Sequence, residues 1–177
     1  MNFKVFYFFN FLFLLLLMSF SIPKKLQKKV NKEIRKTFTI EKFDLIPIHI
    51  SEEIRVKLSS NIKKETLFKI VDSKKIIGYA FVDKAPSKTD LYDFLILLNT
   101  DLIIVKTKVL IYREDYGSEI GSKRWLKQFI GKSKKDRLYY GKDIMAISGA
   151  TISANSMTRT VNQFLLNVDI LHQNKVL

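Results

Sequence analysis

The sequence predicts an α+β domain, an antiparallel sheet of about four strands with packed helices, preceded by an N-terminal hydrophobic leader. Three observations carry that expectation. Four runs rich in β-branched and aromatic residues fall into two neighbouring pairs, each joined by a few polar residues, as hairpins are. The last third of the chain instead repeats its apolar residues at helical spacing. A hydrophobic share of 47% in 177 residues is enough for one buried core.

The leader, residues 1–21, opens with Lys4 and continues as an apolar run from Val5, interrupted only by Asn10 and Ser19. Ser19-Phe20-Ser21 then has the small-x-small form of a signal-peptide cleavage site. The run is also nearly long enough to cross a bilayer, so it reads as a signal peptide or a membrane anchor. Lysines and arginine at 24, 25, 28, 29, 32, 35 and 36 follow it. That charge bias alone favours a cytoplasmic downstream side, whereas the layout of the leader is that of an exported chain. The expectation is export to the periplasmic side of the inner membrane, anchored there or released after cleavage.

Residues 22–60 form a basic helical segment. Leu26, Val30 and Ile34 recur every fourth residue between Lys24 and Thr37, giving a helix with one apolar stripe and a lysine-covered remainder that suits an anionic membrane surface. Ser51-Glu52-Glu53 has the serine and early acids of a second, short helix.

The main domain is expected over 61–177. Residues 66–71 and 76–82 flank Asp72-Ser73-Lys74-Lys75, and residues 93–98 and 102–112 flank Asn99-Thr100-Asp101, giving the two hairpins. In the last run Val105, Thr107, Val109 and Ile111 alternate with Lys106, Lys108 and Leu110, the pattern of a half-buried strand. Residues 84–90 read as a loop. Gly117 and Gly121 then interrupt the chain before a short helix with Trp125, Leu126 and Phe129 on one side, stopped by Gly131. A final helix is expected from Ser153 to Val168, where Met157, Val161, Phe164, Leu165 and Val168 share a face.

Just before that helix stands Ser148-Gly149-Ala150-Thr151, with Ile152 and Ser153 following. Free backbone N–H groups and the helix dipole favour an anion there, and Gly149 permits a close backbone approach. Between Asp143 and Asp169 the sequence holds no acid to oppose one. By itself the pattern leaves two readings open, a helix cap or a phosphate site.

S-G-A-T followed by a hydrophobic residue and serine resembles the flavin attachment motif of the FMN-binding domain. That domain occurs in the C and G subunits of sodium- and proton-linked bacterial respiratory complexes and in small exported flavoproteins. In the family, the last threonine of the motif carries FMN through a phosphoester installed by a dedicated flavin transferase. The resemblance implies that Thr151 is the acceptor, that Ser148, Gly149, Ala150 and Ser153 shape the phosphate loop, and that FMN is the cofactor. Many members also carry E-T-P-G-L-G and then Q-F-x-G-K. Glu114-Asp115-Tyr116-Gly117, Ile120-Gly121 and Gln128-Phe129-Ile130-Gly131-Lys132 follow that order, with Ser118-Glu119 inserted. This adds Glu114, Gly117 and Gly121 to the implied cofactor site. The chain departs from the family at Met145, where members usually have an aspartate six residues before the acceptor; Asp143 lies two residues earlier.

Other chemistries are poorly served. No cysteine and only His49 and His172 remove disulfides, thiol redox centres and the usual zinc sites, so redox work needs an organic cofactor. G-x-S-x-G is absent, which speaks against a serine hydrolase. Asp90 and Asp93, at a strand start, read as loop-ending carboxylates rather than an acid–base pair. Tyr139-Tyr140 sit among basic residues as base-stacking aromatics do, and the net charge is +14, yet a chain with this leader is expected to have no nucleic-acid partner. The function expected is an electron-transfer flavoprotein, an electron carrier rather than a self-contained enzyme. Its expected partners are the flavin transferase and membrane redox proteins. The alternative is a basic, membrane-associated binding module without cofactor.

Overall fold

A computed structural model describes residues 22–59, 62 and 66–177. The leader, 1–21, lies outside the described residues. Among them, no helix is long and apolar enough to cross a membrane.

Helix α1 (Lys24–Phe38) starts after Pro23 and buries Leu26, Val30 and Ile34, the expected stripe. Each such side chain contributes about 1.5–3 kcal/mol when fully buried. The lysines between them stay largely in solvent. Strand β1 (Asp44–Pro47) and the single-turn helix α2 (Glu52–Arg55) follow. Ser51 stands at the N-cap position of α2, but its side chain makes no capping bond.

The remaining strands are β2 (Leu67–Asp72), β3 (Lys75–Pro86), β4 (Leu91–Leu98) and β5 (Ile104–Ile111). They form one antiparallel meander with β1 at one edge and β5 at the other. The sheet therefore has five strands rather than four, because β1 pairs with β2. The first three residues of the expected 84–90 loop are strand: β3 runs on to Pro86 and β4 begins at Leu91, leaving residues 87–90 as a third hairpin turn.

Both faces of the sheet are covered. Helix α1 lies on one, against Phe68, Ile70, Ala80, Val82, Leu95 and Leu97. The long helix α4 (Thr151–Gln173) lies on the other, with Phe164 stacked on Phe81 at 4.2 Å and 7° between rings. Strand β4 is buried on both sides from Tyr92 to Leu98, which is why it reads as a continuous apolar run. In β5 the expected alternation is broken. Register shifts opposite Asp93/Phe94 and Leu97/Leu98 rotate the ends of the strand. Val105 and Ile111 consequently pack with the α1 face while Val109 packs with the α4 face.

After β5 come a 3-10 turn (Ser118–Gly121), the short helix α3 (Lys123–Leu126) and a second 3-10 turn (Lys127–Phe129). Ser122 caps α3 by accepting from the Trp125 N–H, and Trp125 packs edge-on against Phe129 at 5.3 Å. Helix α4 begins two residues before the expected Ser153 and ends five after Val168.

Candidate functional site

The approach to α4 is an irregular segment fixed at its backbone. Asp143 closes the preceding turn by accepting from the Tyr139 N–H at 2.9 Å. Its carboxylate serves that turn. Met145 is held at both its peptide groups: its carbonyl accepts from Trp125 Nε1 at 2.7 Å and its N–H donates to Gln128 Oε1 at 2.8 Å. The side chain of Met145 points to solvent, 70% exposed. Trp125 and the glutamine of the Q-F-x-G-K segment thus position the chain leading into Ser148.

Gly149 turns that chain with φ +79, in the left-handed region that favours glycine. Ala150, buried, occupies the N-cap position with φ −129 and ψ 27, and no side chain caps the helix. The first ladder bond runs from the Ala154 N–H to the Ala150 carbonyl at 2.8 Å. The N–H groups of Thr151, Ile152 and Ser153 therefore lie outside the intrahelical ladder. No acid stands in the first turn, and Thr151 is exposed. Neither Ser148 nor Thr151 occupies the N-cap position, which falls to Ala150 within the same loop.

Gly117 brings the upstream motif to this loop. It also has a left-handed φ, +84; a Cβ added there would stand 2.6 Å from Tyr112 Oη and 3.4 Å from the Gly149 carbonyl oxygen. The hydroxyls of Tyr112 and Ser153 share a hydrogen bond of 3.0 Å, and Tyr92 donates to the Ser153 carbonyl at 3.0 Å. Ser153 is only 3% exposed, so its hydroxyl ties the first turn of α4 to the end of β5. Burial pushes the Tyr92 phenol well above its ordinary range, keeping it a neutral donor.

Glu114 is taken up by the turn between β3 and β4. Its Oε1 accepts from the Ser87 hydroxyl (2.6 Å), the Thr89 N–H (2.6 Å) and hydroxyl (3.1 Å), and the Asp90 N–H (3.0 Å). Those bonds, the Ser87 hydroxyl first, hold its carboxyl down at about 2. Glu114 organises the β3–β4 turn, beside which Arg113 pairs with the buried Asp93 and donates to the Leu91 carbonyl at 2.6 Å. Gly121 ends the first 3-10 turn, where an added Cβ would meet Val109 at 4.0 Å.

The fold thus brings Gly117, Gly149 and Ser153 together around Tyr112, with Ser148, Ala150 and Thr151 in the same loop. Sequence reasoning missed Tyr92 and Tyr112; the signal available was a tyrosine at the loop end of each of two strand runs. It also missed Glu119. A Cβ on Gly149 would lie 3.5 Å from Glu119 Oε2, so an acid from the inserted pair does approach the loop, although none lies in its own stretch of sequence.

Residues 90–166 match the family model of the FMN-binding domain. The matched span takes in β4, β5, both motif segments and most of α4. No curated protein matches the chain.

Proposed function

Residues 90–166 are an FMN-binding domain with FMN as its cofactor, and on that premise we propose that Thr151 carries the FMN covalently, through a phosphoester to its hydroxyl, in a protein that passes electrons between membrane-associated redox partners. One observation carries this reading: α4 begins without a side-chain cap, and its first residue is an exposed threonine. A phosphate at that position is met by the free N–H groups of Thr151, Ile152 and Ser153 and by the positive end of the dipole. Ser148 and Gly149 shape the loop around it, and Gly117 backs the loop from behind. Ile152 and Met145, exposed apolar side chains on either side of the motif, offer cover for an aromatic ring system. Bound FMN supplies the redox chemistry, and the chain's residues hold and orient it.

The apolar run of residues 5–20 and the solvent-facing lysines of α1 support a place at the periplasmic face of the inner membrane, with anionic lipid beneath α1. A flavin transferase acting there is the maturation partner. The covalent bond keeps FMN on the protein where free flavin is scarce.

Intact-mass spectrometry of the full chain, co-expressed with a flavin transferase, tests the attachment. The wild type gains the mass of FMN less water, and Thr151→Ala does not. A yellow wild type without the mass gain refutes the covalent bond while leaving FMN binding in place. A colourless, unmodified wild type refutes the whole reading.

A further inference from the structure

A second charged site lies away from the Ser148–Thr151 loop, along the outer edge of β5. There a cleft of about 230 Å³ opens between α1 and the segment from α3 to Ile130. Five lysines line it: Lys36 from α1, Lys106 and Lys108 from β5, Lys123 from α3 and Lys127 from the following turn. A single carboxylate, Glu33, faces them, and it is already committed to Lys106 at 3.6 Å. Thr107, also in the lining, is 4% exposed, and its hydroxyl has no hydrogen-bond partner.

This is not the solvated face of one amphipathic helix, because the lysines converge from three parts of the chain far apart in sequence. Five lysine side chains around one concavity raise the local potential, which low-dielectric walls focus and which an anion relieves. Lysine binds phosphate as a point charge. The geometry points to a phosphate-binding cleft, formed by Lys36, Lys106, Lys108, Lys123 and Lys127, that is separate from the flavin site. Its ligand carries a phosphate group, either free or as the headgroup of an anionic lipid. The inference does not rest on the flavin reading, since no lining residue belongs to the Ser148–Thr151 loop.

Lysine acylation of the full chain in non-ionic detergent, read lysine by lysine by peptide mass spectrometry, tests it. The probes are millimolar inorganic phosphate, short-chain phosphatidylglycerol and short-chain phosphatidylcholine, against chloride at equal ionic strength. The five cleft lysines are expected to react about fivefold more slowly or less with phosphate or phosphatidylglycerol, while Lys84 and Lys142, outside the cleft, are unchanged. In the double variant K123Q/K127Q the protection of Lys106 and Lys108 is lost. Protection by inorganic phosphate assigns a free phosphate-type ligand, and protection by phosphatidylglycerol alone assigns the lipid headgroup. Equal reactivity with and without both probes overturns the proposal. So does uniform slowing that includes Lys84 and Lys142, equal protection by phosphatidylcholine, or protection that survives in K123Q/K127Q.

Discussion

Replacing Gly117 by alanine puts the contact between the two motif segments to a quantitative test. The residue has φ +84, where an L side chain costs about 1–2 kcal/mol. The added methyl also lands 2.6 Å from Tyr112 Oη, and that ring cannot retreat without giving up the 3.0 Å bond to Ser153. Losing such a bond costs about 1 kcal/mol. Gly117→Ala should therefore destabilise the protein by about 2–3 kcal/mol, lowering its melting temperature by about 5–10 °C. Tyr112→Phe alone loses only the bond, about 1 kcal/mol. In the double variant the nearest ring atom to the methyl is Cζ, 3.6 Å away, an ordinary contact. The double variant should then be no less stable than Gly117→Ala, a coupling of about 1 kcal/mol. Urea unfolding of all four proteins, with the slope held in common, measures it. Strictly additive losses would refute the argument that Tyr112 joins Gly117 to the start of α4.

The other predictions concern different parts of the structure. Glu114 has a folded-state value lowered from 4.5 to about 2, so between those pH values the unfolded chain binds more protons and stability falls as the pH drops; Glu114→Gln should flatten that part of a urea-midpoint-against-pH curve, and an unchanged curve would mean the carboxylate is not what ties down Ser87 to Asp90. Met145→Asp replaces a solvent-facing side chain, so stability should move by less than about 0.5 kcal/mol; mass spectrometry of the co-expressed protein should show a larger fraction with FMN attached. Phe164→Ala removes one ring of the 4.2 Å stack on Phe81 and should cost about 3–5 kcal/mol in chemical denaturation.

Much of this architecture could be read from local pattern. The stripe of α1, four of the strands and the helix behind Ser148-Gly149-Ala150-Thr151 all declare themselves through spacing, which depends only on neighbours in sequence. β1 does not, because its four mostly exposed residues are recruited by backbone pairing with β2 rather than by an apolar face. The alternation in β5 misleads for a related reason: a bulge is set by the partner strand, and each one moves the following side chains to the other face. At the site, the loop and its threonine were legible, whereas Tyr112, Tyr92 and Glu119 reach it only through the fold. Glu114 was legible as part of a motif, but what it does is set by Ser87, Thr89 and Asp90, which lie 24 to 27 residues away.

Ala150 at the head of α4 has a consequence for the protein before it is loaded. A serine or aspartate in that position would satisfy a first-turn donor from the moment of folding, for about 1 kcal/mol. The chain withholds that stabilisation from its empty form and, in the arrangement proposed here, recovers it when the phosphate of FMN arrives. The first turn of α4 should then exchange its amide hydrogens quickly in the empty protein and slowly in the loaded one. In that arrangement cofactor arrival is the last step of folding at this end of the helix, and the flavin phosphate takes the structural part of the capping side chain that Ala150 lacks.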